Sequence, residues 1–383
     1  MASLLETPME SRSTSSYPDE LDILSAYGLQ VQPNFDDILA IYQASGFLYP
    51  QKAESLAPFW PEIGPLWNRL MRTRPPLLIG AVDRRNKRST GAIFRSSTRT
   101  WFVQHLASDG DAYGTAALVM GCGAAIYLSS EANGFQVWFR GDNKLPNRLF
   151  GAEFFDGNEE KQDHALRTYN YSKVQKSELK RTPSHGFDVI RCDDTTAPIA
   201  CSLISQVRGP AFVDVEELKS DPFLAGIDSQ FQCEGLRRYR HIYLALKGDT
   251  PVGCAIAFRG PLGLNFSFLE NRCDVVMKPN LESSQAAAIV EALLAEAAST
   301  YADFEPEWIP VTTDCPPADL PAIVRPLRVY TQAIYLRPAM PRFYDGLRAT
   351  YGRLLARQMR RETFRVPTVE KDREAAISQW PTI

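Results

Sequence analysis

Apolar and polar residues change their spacing several times along the chain, and each change marks an element. From Asn34, Asp36 and Asp37 occupy a first helical turn, and Ile38, Leu39, Ile41 and Tyr42 recur at helical spacing until Gly46. A second short helix fits Ile63 to Met71. Pro76 to Val82 reads as a buried strand, Asp83 to Ser89 as a charged turn, and Gly91 to Phe94 as the hairpin partner. Thr100 to Leu106 makes a third strand. Ser108, Asp109, Gly110 and Asp111 then offer capping residues for an Ala-rich run from Ala112 to Leu128, which predicts a buried helix launched from the third strand. Phe135 to Phe139, Gly151 to Phe155 and His164 to Tyr171 read as further extended stretches.

The second half repeats this order. Phe187 to Ile190 is a strand, Pro198 to Gln206 a helix, and Arg240 to Leu246 with Pro251 to Phe258 a hairpin around Lys247-Gly248-Asp249-Thr250. A long strand is expected from Leu264 to Met277, leading into a helix capped by Asn280. In that helix Ala286, Ile289, Val290, Leu293, Leu294 and Ala297 fall on one face. Trp308 to Val311 and Leu327 to Leu336 close the repeat. Residues 1–33 are rich in Ser, Thr, Glu and Pro and predict a flexible tail. The expected organisation is therefore tail 1–33, unit 34–172, linker 173–185, unit 186–340, basic amphipathic helix 341–365 and tail 366–383.

Composition agrees with two packed units. The 383 residues are 44% hydrophobic and 23% charged, which excludes a wholly disordered, collagenous or coiled-coil chain. A net charge of -3 offers no general attraction to polyanions, so nucleic acid is not an expected partner. The uncharged run Gly114 to Ser130 suits a buried helix better than a membrane span, and no basic-then-apolar leader opens the chain, so a cytoplasmic address is expected without a membrane. Seven cysteines (Cys122, Cys192, Cys201, Cys233, Cys254, Cys273, Cys315) lack C-x-x-C spacing and predict reduced thiols, with neither a disulfide framework nor a metal site.

Hairpin, third strand, helix, strand, short helix and final strand is an order that resembles the GNAT (acyl-CoA N-acyltransferase) fold. The resemblance spans Asn34 to Ser172 and Gly186 to Pro338, implying an α+β chain of two tandem GNAT-like units, each a mixed, mostly antiparallel sheet flanked by helices. It implies transfer of an acyl group from acetyl-CoA or another acyl-CoA to a small-molecule or protein amine. In the family, backbone N–H groups at the turn between third strand and helix hold the pyrophosphate of the donor, as a helix N-terminus binds an anion. Here that turn reads Asp111-Ala112-Tyr113-Gly114-Thr115-Ala116, similar to the family motif from the glycine onward. Leu106, Asp111, Gly114, Thr115 and Ala116 are thus the implied donor-binding residues.

Two features oppose that reading. Asp109 and Asp111 place carboxylates where a diphosphate would sit, and one such pair at ~7 Å costs about 2 kcal/mol. The corresponding turn of the second unit, Lys278-Pro279-Asn280-Leu281-Glu282, has no glycine. A catalytically silent pair of binding or regulatory modules is the competing function, and Gly114 serving only close approach of helix to sheet is the competing role.

Within the resemblance, Glu270 stands on the expected strand where related enzymes keep a base, although Arg272 two residues on would share its strand face and hold it as an ion pair. His105 is the matching polar residue of the first unit, open to the alternative of a half-buried hydrogen-bonded histidine. Tyr113, Tyr330 and Tyr335 are candidates to protonate a leaving thiolate. His164, His185 and His241 do not cluster with the cysteines, and no Gly-x-Ser-x-Gly occurs. Finally, Pro341 to Arg365 carries a net +5 beside an apolar stripe of Phe343, Leu347, Tyr351, Leu354 and Leu355. The stripe is expected to dock on the second unit, leaving an arginine face for solvent or an acidic partner.

Overall fold

The computed structural model describes residues 19–72, 76–84, 87–110, 112–151, 162–179 and 186–363. The first half runs α1 (Glu20–Ala26), β1 (Gln30–Val31), α2 (Phe35–Ala44), α3 (Pro50–Leu56), α4 (Trp60–Leu70), β2 (Leu77–Arg84), β3 (Lys87–Arg95), β4 (Thr100–Ser108), α5 (Ala112–Leu128), β5 (Gly134–Arg140), α6 (Lys144–Phe150) and β6 (His164–Gln175). The second runs β7 (Asp188–Arg191), α7 (Ala197–Val215), α8 (Ala225–Gln232), β8 (Tyr239–Lys247), β9 (Thr250–Arg259), β10 (Cys273–Met277), α9 (Ser283–Ala297), β11 (Trp308–Thr313), β12 (Arg328–Leu336) and α10 (Met340–Thr363).

The twelve strands among the described residues form one sheet in the order β1-β2-β3-β4-β5-β12-β6-β11-β10-β9-β8-β7. Only β4–β5 and β10–β11 are parallel, as strands joined by a crossover helix must be. The last strand of each half lies beside the other half: β12 pairs with β5, and β6 pairs with β11. β12 and β6 then pair with each other and close the sheet between the units. Neither half builds its sheet from its own residues alone.

One face of the β2–β5 region is covered by α5, which is apolar on every side because it is enclosed by the sheet, α1 and α10. Gly121 lets the segment leading into β1 lie against it, since a Cβ there would stand 2.8 Å from Leu29 Cδ1. A second apolar cluster holds α2, α4, α7 and α9 and the opposite face of the first half. Among the described residues no helix is long and apolar enough to cross a membrane.

Several elements differ from expectation. Within the segment expected as a flexible tail, Glu20–Ala26 is helical, and Ile23 and Leu24 are buried under α5, whose outer side needs an apolar cover. The long strand expected from Leu264 exists only as β10. Gly263 and Phe268 have positive φ, and Asn265 Oδ1 accepts the N–H groups of Ser267 and Leu269, so residues 263–269 fold into a loop. Helix α9 is preceded by Glu282 at its cap, while Asn280 takes a left-handed turn conformation. Helix α10 docks on α5 and β5 of the first unit as well as on β12 of the second: Phe343 packs on Phe135, Phe150 and Tyr335, and Tyr344 stacks on Tyr127. The extended stretch expected after Gly151, linker positions 180–185 and the tail 366–383 lie outside the described residues. Six of the cysteines are buried and all seven are free thiols, with Cys233 exposed.

Candidate functional site

The site begins with one extra residue. β3 and β4 pair Thr90 with Ala107 but Ala92 with Gln104, so three steps along β4 oppose two along β3. This bulge falls at His105 and Leu106, and His105 takes a φ of 55°. It turns β4 away from β5. Their parallel pairing stops at Val103 and Val137, although β4 continues to Ser108 and β5 to Arg140. A cavity of ≈ 470 Å³ occupies the split. It reaches both faces of the sheet, touching Leu106, Val119 and Phe343 on the α5 side and Lys52, Trp138 and Tyr330 on the other.

The corresponding strand ends of the second half are tied together. β10 and β11 pair as far as Val275 and Thr313 without a preceding bulge, and the buried Arg208 donates to Val275 O and pairs with Asp274 at 3.3 Å.

The cavity wall is shared between the halves. The loop at 263–269 crosses onto β4: Gln104 Nε2 donates to Leu264 O at 2.9 Å, Asn265 Nδ2 to Gln104 Oε1 at 2.7 Å, and Phe266 N–H to His105 Nε2 at 3.1 Å. Trp67 Nε1 donates to Gly263 O and stacks flat on the His105 ring. His105 is therefore buried in an aromatic box. Burial, with the Lys52 charge second, holds its pKa well below the usual imidazole value, so the ring is neutral and its accepting nitrogen is engaged by Phe266. It positions the loop and is not arranged as a proton acceptor.

Glu270 is placed apart from the split. It lies in a 3-10 turn at Leu269–Asn271, not on a strand, and is 1% exposed. Burial pushes its pKa up to about 8, outweighing the opposing pull of the Glu270 and Asn265 backbone, Arg238 and Asn271. Arg272 does not pair with it, because that guanidinium is bound to Glu216 at 2.6 Å and to Asp274 at 3.1 Å. The expected ion pair, with its depressed carboxyl pKa, is replaced by a protonated acid in the interface between units.

At the turn before α5, Asp109 folds back on β3: its Oδ1 accepts Arg88 N–H at 2.9 Å and its own N–H reaches Arg88 O. Gly110 has a φ of 99°, a conformation that side chains avoid, and Ser108 Oγ accepts its N–H. Asp111 lies outside the described residues. Gly114, Thr115 and Ala116 are buried in the first turns of α5, and Leu106 lines the cavity.

Of the tyrosines, Tyr330 lines the cavity, whereas Tyr335 donates to Phe150 O on the α5 side and Tyr113 sits half-buried at the start of α5. Sequence reasoning missed Lys52, Tyr49 and Arg140, all cavity residues. Arg140 ends a strand and Lys52 sits in a short polar helix, positions that ordinarily read as solvated surface. Among the described residues no group of three or more His, Cys, Asp or Glu is placed to hold a metal ion.

No protein-family model matches the chain, and no curated protein matches its sequence. Solved structures similar to it include a tandem GNAT protein from the clavulanic acid biosynthesis pathway, 12% identical, covering 81% of this chain and 98% of that one at a TM-score of 0.38. A GCN5-related N-acetyltransferase from Kribbella flavida is 10% identical over 64% of this chain and 86% of its own, at 0.35. A putative GNAT-family acetyltransferase from Novosphingobium aromaticivorans is 12% identical over 66% and 89%, at 0.31. The fold of this molecule has a helix-linked parallel pair in each half, a final strand inserted beside it, and a split opened by the β4 bulge.

Proposed function

We propose that the chain transfers an acyl group from an acyl-CoA thioester to an amine, and that the first unit holds the donor. The carrying observation is the split between β4 and β5 with the cavity running through it. Beyond Val103 and Val137 the facing peptide groups of the two strands are not paired with each other, so the amides of a pantetheine arm can pair with them as an added strand. The apolar lining at Leu106, Val119 and Phe139 suits its methylene and methyl groups. The turn into α5 receives the pyrophosphate, and the withdrawal of Asp109 onto Arg88 removes one of the two carboxylates that oppose an anion there.

The acceptor reaches the thioester from the face of Lys52 and Tyr330. Its neutral amine nitrogen attacks the carbonyl carbon, forming the C–N bond as the C–S bond breaks. Tyr330 protonates the departing thiolate and recovers its proton from the new amide nitrogen by way of solvent. Neither Glu270 nor His105 takes a proton in this scheme, since Glu270 is outside the cavity and His105 is already engaged.

Calorimetric titration with acetyl-CoA tests the reading on the parent and on Leu106→Trp, whose indole would fill the split. Saturable binding by the parent and its loss in the variant is the expected result. No binding by the parent, or equal binding by both, refutes it.

A further inference from the structure

The face of the split opposite α5 collects three cations, of which Arg140 alone is ion-paired to a carboxylate among the described residues. On β12, Arg328 and Tyr330 are two residues apart and share that face; Tyr330 opposes Arg140 of β5 and Tyr169 of β6, and Arg328 opposes Tyr171. Tyr169, Tyr171 and Tyr330 all belong to the cluster away from α5, which fixes the side. Helix α3 brings Lys52 onto the same region, with Nζ 3.7 Å from the Phe47 ring centroid. Three separate elements thus direct cations to one mouth.

Their partners are unequal. Arg140 is paired with Asp142 at 2.5 Å. Arg328 meets the hydroxyl groups of Tyr330, Tyr171 and Tyr49 and the face of the Tyr171 ring, and Lys52 lies over the Phe47 and Tyr49 rings, while burial, Arg328 and Arg140 favour its neutral form and bring its pKa down to about 8. Neither group forms an ion pair among the described residues, and Asp142 in the same cavity wall is bound to Arg140. Gathering unpaired like charges in a partly buried place is destabilising by itself. A bound anion would reverse that sign. The surrounding wall is apolar and aromatic, from Phe47, Tyr49, Trp138 and Leu269.

We propose that this mouth binds an acceptor amine carrying a carboxylate and an apolar side chain, with Lys52 and Arg328 holding the carboxylate and the aromatic wall holding the side chain. The proposal rests on the acyl-transfer reading for the word acceptor; the carboxylate site itself is tested without the donor.

The full-length protein is titrated near neutral pH with L-leucine, L-phenylalanine and L-tryptophan, each beside its carboxamide, which keeps the amine and side chain and removes the charge. Saturable binding of at least one amino acid, about tenfold or more weaker for its amide, is expected from the loss of a charge-assisted hydrogen bond. Lys52→Met and Arg328→Gln should each weaken that amino acid by about tenfold and leave acetyl-CoA binding as in the parent. The proposal is overturned if none of the three binds, if amide and acid bind alike, or if the variants bind as the parent does. A loss of acetyl-CoA binding in both variants would assign the cations to the donor's phosphates and also overturn it. Amino-acid binding with no acetyl-CoA binding would instead refute the transfer reading and leave the carboxylate site standing. The comparison of acid with amide on the parent decides the matter even if a variant fails to fold.

Discussion

Tyr330 and Arg140 stand directly opposite each other across the β5–β12 pair, although they come from opposite halves of the chain. One wall of the split in the first unit is therefore supplied by the last strand of the second. The two units share their central strands, and this sharing governs how the molecule unfolds.

Because β12 and β6 are exchanged, neither half can lose its sheet without taking the other's apart. Urea unfolding followed by far-ultraviolet circular dichroism and by tryptophan fluorescence should give coincident curves, since Trp101 and Trp138 report on the first half and Trp308 on the second. Two resolved midpoints would contradict the shared-strand account.

Glu217 joins the units at the tip of the β3–β4 hairpin. Its Oε1 accepts from Ser97 Oγ at 2.9 Å, Arg99 N–H at 2.7 Å and Thr100 Oγ1 at 3.4 Å. Glu217→Ala leaves the buried Ser97 and Thr100 hydroxyls and the part-buried Arg99 N–H unmatched and should cost roughly 2 to 4 kcal/mol in a chemical denaturation experiment. A change below about 0.5 kcal/mol would show that water replaces the carboxylate freely.

Glu270 makes a pH prediction of definite sign. Its folded pKa of about 8 lies above the ordinary value of 4.5, so between these limits the unfolded chain releases a proton that the native state keeps. Stability contributed by this group is unaffected below about pH 4.5, falls as pH rises, and levels off above about pH 8. Glu270→Gln should match the parent at about pH 4.5 and exceed it at about pH 8.5 by roughly 2 to 5 kcal/mol, read from melting curves across that range. Acetyl-CoA binding should not change. A variant that is less stable than the parent at the alkaline end would reverse the assignment of a buried neutral acid.

For His105 the expectation is structural. Replacing it by Leu removes the acceptor for Phe266 N–H and should lower stability by about 1 to 3 kcal/mol. With the ring neutral throughout the physiological range, a profile of transfer rate between about pH 6 and 8 should carry no inflection that disappears in His105→Gln. Such an inflection would make His105 a proton carrier after all.

Much of the strand and helix pattern was legible because it is local. The stripe Ala286, Ile289, Val290, Leu293, Leu294 and Ala297 is the buried face of α9, and the Ala-rich run is α5 from Ala112 to Leu128. Arg272 misled for the opposite reason. Spacing of two residues implies a shared face only on a strand, and the turn at Leu269–Asn271 sent Glu270 one way and left Arg272 to Glu216 from α7's distal end. Lys52 gave no signal, since its ammonium rests on the nearby Phe47 and Tyr49 rings but the cavity they share is completed by Trp138 and Tyr330, remote in sequence.

The sequence by itself determined most of the strands, the main helices and their order, since hydrophobic period, turn residues and capping chemistry act over a few positions and need no partner. It also determined that α5 would be buried, from its apolarity on all sides. Only the tertiary structure decided which half each final strand completes, where α10 docks, and which charges meet at the split. Strand pairing and ion pairing depend on the distance between residues far apart along the chain, and no local spacing encodes that distance.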